Sequence, residues 1–126
     1  MLSEYYSLLL EEYKEYIFVR VTPRIAGLDI FVTYLDDTVR RVRDRGATKL
    51  LFLREMPLEI SAHQYEVMGA AVMNLTPTDL RVAVVDRSPM TPVVVEKINN
   101  AALQKSRAIK AFADLDEARM WLLSCE

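Results

Sequence analysis

Hydrophobic residues change their spacing several times along this chain, and the spacing predicts short strands alternating with helices. Between residues 16 and 22 apolar side chains occupy alternate positions, which is the period of a strand. Residues 5–13 are also rich in aromatic and aliphatic side chains, so the two stretches predict a hairpin with its polar turn at residues 12–15. A helix over the first dozen residues is the alternative, because the run of leucines and glutamates there also suits one. Pro23 is expected to break the second strand.

Two longer stretches then have the spacing of helices. The first follows Gly27 and ends at Gly46, since a glycine commonly closes a helix. Its apolar stripe consists of Leu28, Phe31, Leu35, Val39 and Val42. The second is expected to begin at Ser61, because Ser61 and Gln64 have the spacing of a capping box, and to end at Thr76 before a proline. Its stripe consists of Tyr65, Met68, Val72 and Leu75.

Two further helices are predicted from their first residues. Thr91 is the expected N-cap of the third helix, with Pro92 at the first helical position. Asp114 and Glu117 have the spacing that caps the fourth. Short apolar runs of strand length separate the helices, at residues 49–53, 81–85 and 108–112.

The predicted order is therefore β-β-α-β-α-β-α-β-α, within one domain that spans residues 1–126. Strands that are separated by helices lie parallel, with right-handed crossovers, and the opening hairpin adds an antiparallel edge strand. The expected fold class is α/β, with a mixed, mostly parallel sheet and about four helices.

Composition and charge narrow the class of protein. The 126 residues carry a formal net charge of −2, which does not favour a nucleic-acid partner, and the arginines near residue 43 suit a helix C-terminus instead. Because the chain has one histidine and one cysteine, we expect no metal and no cofactor. No stretch is apolar enough to predict a membrane span, and the first residues do not look like a secretory signal, so the expected location is the cytoplasm.

The element order and two segments carry a resemblance to a known group. One segment is the strand Arg-Val-Ala-Val-Val-Asp at residues 81–86. The other, residues 110–122, joins a strand ending in Phe to a short acidic cap, a Glu-Ala step and a Trp-Leu pair. The chain resembles small bacterial SpoIIAA-like (STAS-like) domains, a fold group that includes anti-sigma-factor antagonists and the lipid-binding CRAL-TRIO class. The resemblance implies a non-enzymatic binding or regulatory domain that acts through protein–protein contacts.

Ser61 is the candidate modification site that the resemblance implies. STAS regulators are similar in placing an Asp-Ser-Ser-Gly turn, with a serine that a kinase phosphorylates, before the second long helix. The matching residues 59–63 read Glu-Ile-Ser-Ala-His, so the second serine and the glycine are absent. The alternative is that Ser61 is a simple N-cap. His63 lies two residues further on, where the two side chains of a helix do not face each other, so no catalytic pair is predicted.

Three arginines follow strands at the edge of the sheet where open α/β proteins bind ligands. They are Arg24, Arg54 and Arg87, the last with Ser88 beside it. If they converged, their guanidinium groups would hold a phosphate or carboxylate, because arginine donates hydrogen bonds in a planar fork. The alternative is that they are solvated and paired with Glu55 or Asp86, in bridges worth about 0–1 kcal/mol.

Apolar residues extend beyond one stripe of the first and third helices. The extra residues include Ile30, Val32, Val93 and Val95. A helix that is apolar too far round its surface usually covers something, here a second subunit of a homodimer, a lipid-like ligand, or only more of the core. We rank a homodimer above an enclosed acyl chain because a chain of 126 residues leaves little room for a large cavity. A small-ligand module that binds an acyl chain or an anion at the strand ends is thus the second functional hypothesis.

Overall fold

The predicted order of elements is the order in the protein. The computed structural model describes residues 5–25, 27–56 and 62–124. The strands are β1 (Tyr6–Glu12), β2 (Ile17–Pro23), β3 (Lys49–Glu55), β4 (Arg81–Arg87) and β5 (Ile109–Phe112). The helices are α1 (Leu28–Asp44), α2 (Ala62–Leu75), α3 (Thr91–Lys105) and α4 (Leu115–Leu123). The hairpin interpretation of residues 5–13 is therefore correct, and the helical alternative is wrong.

The five strands lie in the sheet in the order in which the chain makes them. β1 is antiparallel to β2, and β2 to β5 are parallel. Because each right-handed crossover moves one strand further in the same direction, α1, α2 and α3 all cover the same face of the sheet. We call this the inner face. After the last strand α4 packs against the opposite face, which we call the outer face, with its main contacts on β3, β4 and β5.

The strands separate two clusters of buried side chains because successive residues point to opposite faces. Along β3, Leu50 and Phe52 belong to the large cluster under α1, α2 and α3, whereas Leu51 and Leu53 pack under α4 with Ala118. Burial on both sides explains why β3 and β4 read as continuous apolar runs in the sequence. The extra apolar residues of α1 and α3 pack half-buried against the large cluster.

Several local predictions can be compared with the described residues. Asp114 caps α4 as expected, since its carboxylate accepts the backbone N–H groups of Asp116 and Glu117. Gly46 follows α1 with a φ of 69°, where glycine is favoured. Four members of the α1 stripe are buried, but Leu28 in the first turn is exposed. Ser61 lies outside the described residues, so its role as a cap stays a prediction.

One prediction at a strand end is confirmed, and one at a helix start is wrong. β2 ends at Pro23, which is its last residue. Pairing with β3 ends at Val21, so the missing N–H of proline removes no bond from that ladder. Thr91 is the first residue of α3 and not its N-cap, which is Met90. The Thr91 hydroxyl is instead engaged by the preceding loop, where it accepts the Ser88 N–H at 3.0 Å.

Asn99 in α3 makes two hydrogen bonds to the neighbouring strand β5, which lies at the end of the sheet. Its side-chain oxygen accepts the Ala111 N–H at 2.7 Å, and its side-chain nitrogen donates to the Ala111 carbonyl at 3.2 Å. The amide group thus takes the place that a further strand would occupy, because it offers one donor and one acceptor as a peptide group does.

We expect Asn99→Ala to lower the free energy of unfolding by about 1–2 kcal/mol, because both partly buried backbone groups of Ala111 lose their partner. Asn100→Ala is the matched control, since Asn100 is the exposed neighbour on the same helix and the change in helix propensity is the same. Urea denaturation measures both. Equal stabilities of the two variants would show that the Asn99 bonds contribute nothing.

Candidate functional site

A buried charged pair lies at the carboxyl ends of the two central strands. Arg54 of β3 and Asp86 of β4 are direct partners in the parallel register. Because Leu50 and Phe52 face inward on β3, Arg54 follows them on the same face, and Asp86 follows Val82 and Val84 in the same way. The alternation of side chains along the two strands therefore places both charged groups on the inner face of the sheet.

Both members of the pair are removed from solvent. Arg54 is 4% exposed and Asp86 is 1% exposed. The Arg54 Nη1 donates a short hydrogen bond to the Asp86 Oδ1, and the Arg54 Nε donates to the hydroxyl of Tyr34 on α1 at 3.0 Å. One guanidinium group thus connects α1, β3 and β4. Separating such a pair is unfavourable, because each charge would then be buried without a partner of opposite sign. The pair therefore keeps the elements that carry it together.

The second carboxylate oxygen of Asp86 connects the pair to the loop before α3. It accepts the Ser88 hydroxyl at 2.7 Å, and the Thr91 hydroxyl lies 3.3 Å from it. The Ser88 oxygen in turn accepts the Met90 N–H at 3.2 Å. The hydroxyl of Ser88, a predicted ligand-binding residue, is therefore engaged by Asp86 and by the backbone of its own loop. We call Tyr34, Arg54, Asp86, Ser88 and Thr91 the buried polar network.

Burial and charge shift the ionisation of the network. Burial raises the pKa of Tyr34 to about 12, although the charge and the hydrogen bond of Arg54 act in the opposite direction. Burial by itself lowers the pKa of Arg54, but the charges and hydrogen bonds of Tyr34 and Asp86 outweigh it and raise that pKa above its ordinary value. At neutral pH the network thus contains a neutral phenol and a charged guanidinium group.

The next pair along the same two strands lies on the outer face. Glu55 and Arg87 are register partners one residue beyond Arg54 and Asp86, and they point the other way. The Arg87 Nη1 lies 3.3 Å from a Glu55 carboxylate oxygen, and Arg20 of β2 lies 2.7 Å from the other. Both arginines are about half exposed, so water solvates the two ion pairs of this cluster and weakens them.

The three predicted arginines therefore have different surroundings. Arg54 lies in the inner core, Arg87 lies on the outer face, and the exposed Arg24 follows β2, where its backbone N–H donates to the Tyr5 carbonyl at 2.7 Å. Because Arg54 and Arg87 are on opposite faces, their guanidinium groups do not converge on one point. Whether Arg24, Arg54, Arg87 and Ser88 bind a ligand stays a prediction. Glu55 and Asp86 are predicted from the sequence as partners of solvated arginines; both pairings are found, but the one with Asp86 is buried. Tyr34 was not predicted as a member of the site.

A small cavity lies between the inner face of the sheet and the three helices above it. Its volume is about 30 Å³, which is close to the volume that one molecule occupies in liquid water. Its lining is almost entirely apolar. Arg54, Asp86 and Tyr65 are among the residues that line it. The buried Tyr65 hydroxyl has no hydrogen-bond partner among the described residues. An acyl chain would not fit, so the lipid alternative has no support from this cavity.

Two features are absent from the described residues. Within them, no three His, Cys, Asp or Glu side chains are grouped so that they would hold a metal ion. No helix in that part of the chain is both long and apolar enough to cross a membrane. The side chain of His63 and the whole of Cys125 lie outside it.

Comparison with known proteins yields a shared fold. No protein-family model matches the chain, and no curated protein matches it. Among solved structures, the chain is similar to the crystal structure of an anti-sigma factor antagonist from Mycobacterium paratuberculosis, with a TM-score of 0.60 and 18% sequence identity. The similarity covers 94% of this chain and 95% of that chain. The predicted SpoIIAA-like (STAS-like) fold is thereby confirmed.

Proposed function

We propose that this chain is a non-enzymatic domain that regulates another protein by binding to it. The observation that carries the proposal is the shared fold, which extends over 94% of the chain and is that of an anti-sigma factor antagonist. Such an antagonist acts on a protein and not on a small substrate. The buried polar network also supports a structural use of the strand ends, because Asp86 is occupied by Arg54 and by hydroxyl groups of its own loop.

The partner is proposed to bind at the carboxyl ends of the parallel strands. The loop after β2 presents Arg24 and Ile25 there, and the first turn of α1 adds Leu28; all three are exposed. We call these three residues the edge surface. Two exposed apolar side chains beside an arginine are the kind of mixed surface that protein interfaces use, since arginine is enriched in them and a buried apolar centre stabilises them.

Ser61 is proposed as the residue whose modification controls this binding. In the sequence it lies between β3, which ends at Glu55 at the carboxyl edge of the sheet, and α2, which begins at Ala62. A phosphate adds a charge of about −1.5 to −2 and alters contacts with neighbouring charged groups. The incomplete serine motif of residues 59–63 makes Ser61 the one hydroxyl there that a kinase would use.

We expect the purified, tagged protein to retain a specific partner from a lysate of the organism that produces it, and Ile25→Lys/Leu28→Lys to bind that partner at least about tenfold more weakly. The partner is identified by mass spectrometry, purified and titrated against each variant. Asn100→Lys/Leu103→Lys is the matched control, because it adds the same two charges to the exposed side of α3.

The same titration tests Ser61. Ser61→Asp is expected to change the dissociation constant, whereas Ser61→Ala is expected to leave it unchanged, because only the former adds a charge. Equal binding by both would remove Ser61 from the proposal. Equal losses in the edge-surface variant and in the α3 control, or retention of no partner at all, would contradict the proposed function.

A further inference from the structure

One of the three helices on the inner face contributes no residue to the buried polar network. The network includes Tyr34 of α1 and Thr91, the first residue of α3, but no residue of α2. Tyr65 of α2 is 1% exposed, and its hydroxyl has no hydrogen-bond partner among the described residues. A buried hydroxyl without a partner gives up its bonds to water and gains none in exchange, so native proteins seldom contain one.

Tyr65 lines the same cavity as the buried charged pair. Arg54, Asp86 and Tyr65 all contribute to its wall, together with apolar side chains of the sheet and of the helices above it. One water molecule needs at least about 10–15 Å³, so the cavity of about 30 Å³ has room for one, whereas an organic ligand is too large. The size of the cavity therefore restricts an occupant to a single water molecule.

Arg54 and Asp86 have hydrogen-bonding capacity that their contacts with the described residues do not use. A guanidinium group has five N–H donors, and Arg54 uses one of them on Tyr34 and one on Asp86. Among the described residues, the Asp86 Oδ1 accepts only the Arg54 Nη1, although a carboxylate oxygen can accept two hydrogen bonds. With the Tyr65 hydroxyl, these groups supply the about three partners that a buried water molecule typically has, whereas cavities that stay dry offer none.

We propose that one water molecule occupies this cavity and joins the Tyr65 hydroxyl to the Arg54–Asp86 pair. The water accepts hydrogen bonds from Arg54 and from the Tyr65 hydroxyl, and it donates one to Asp86. All three inner helices are then connected to the same guanidinium group. Because Tyr65 is the fourth residue of α2, the water holds the first turn of that helix against the sheet.

A crystal structure of the full chain, at a resolution that places ordered water, tests the proposal directly. We expect one peak of electron density in the cavity, about 2.6–3.2 Å from the Tyr65 Oη and at a similar distance from an Arg54 nitrogen or an Asp86 oxygen. A cavity without density, or a peak within hydrogen-bond distance of Tyr65 alone, overturns the proposal.

Tyr65→Phe tests in solution whether the hydroxyl has a partner. If water is bound there, the variant loses a buried hydrogen bond, and the equilibrium constant of unfolding in urea is expected to rise about tenfold. In a dry cavity the same substitution would remove an unsatisfied group, and that constant would stay the same or fall.

Tyr13→Phe is the control for this measurement. It removes the same oxygen atom from a tyrosine that is 51% exposed and donates to Glu11 at the surface, so the expected change is less than about twofold. A Tyr65→Phe variant that is as stable as the wild type, or that changes no more than the control, overturns the proposal. If Tyr65→Phe does not fold, the crystal structure decides by itself.

Discussion

Arg54→Met is expected to lower the free energy of unfolding by about 3–5 kcal/mol, because it leaves the carboxylate of Asp86 buried without its cation. The substitution also removes the hydrogen bond that the Arg54 Nε donates to the Tyr34 hydroxyl. Since whole domains are stable by only about 5–15 kcal/mol, the variant should lose a large share of its stability. Chemical denaturation followed by circular dichroism measures the difference.

Arg87→Met provides a closely matched control for that experiment. It makes the same substitution in the next register pair of the same two strands, but its bridge to Glu55 is solvated, so its loss should cost about 0–1 kcal/mol. If the two variants differed by less than about 1 kcal/mol, the buried pair would not be a major support of the fold.

Stability at high pH is expected to fall because of Tyr34. The ordinary pKa of tyrosine is 10.0, and burial raises that of Tyr34 to about 12 in the folded protein. Below pH 10 the phenol is neutral in both the folded and the unfolded chain, so its full contribution is present. Between about pH 10 and 12 the unfolded chain ionises first, and the folded state loses about 2–3 kcal/mol.

Tyr34→Phe isolates this contribution from that of the other tyrosines and lysines. The variant is less stable at neutral pH because Arg54 loses an acceptor, but its stability should fall less steeply between pH 10 and 12. Denaturation curves at several pH values give the two slopes. Parallel pH profiles for the wild type and Tyr34→Phe would contradict the assignment to Tyr34.

The alternation of strands and helices was predictable because each element has a local signature. The apolar runs of β3 and β4 and the cap at Asp114 depend only on residues close in the chain, and all were found as expected. The ends were less predictable: Thr91 has the chemistry of an N-cap, but its hydroxyl is engaged by the loop from Asp86. The sequence pattern does not show which of several nearby hydrogen-bond partners a hydroxyl such as that of Thr91 will choose.

The buried polar network could not be predicted from residues that are close together in the chain. The sequence places arginines after strands, but the choice between the two faces depends on where each strand ends, and β3 extends to Glu55 rather than Leu53. Continued alternation from Leu50 and Phe52 would have placed Arg54 inward. Its pairing with Asp86 required the register of β3 and β4, which only the assembled sheet defines.

Asn99 also has a consequence for contacts between copies of the folded protein at the β5 edge. A sheet whose last strand offers free backbone groups can template the addition of a foreign strand, and repeated addition leads to fibres. At β5 the outward N–H and C=O of Ala111 are already taken by an amide that belongs to the same chain. A foreign strand could pair there only by displacing a side chain of the same molecule from Ala111, so we expect strand addition at this end of the sheet to be disfavoured.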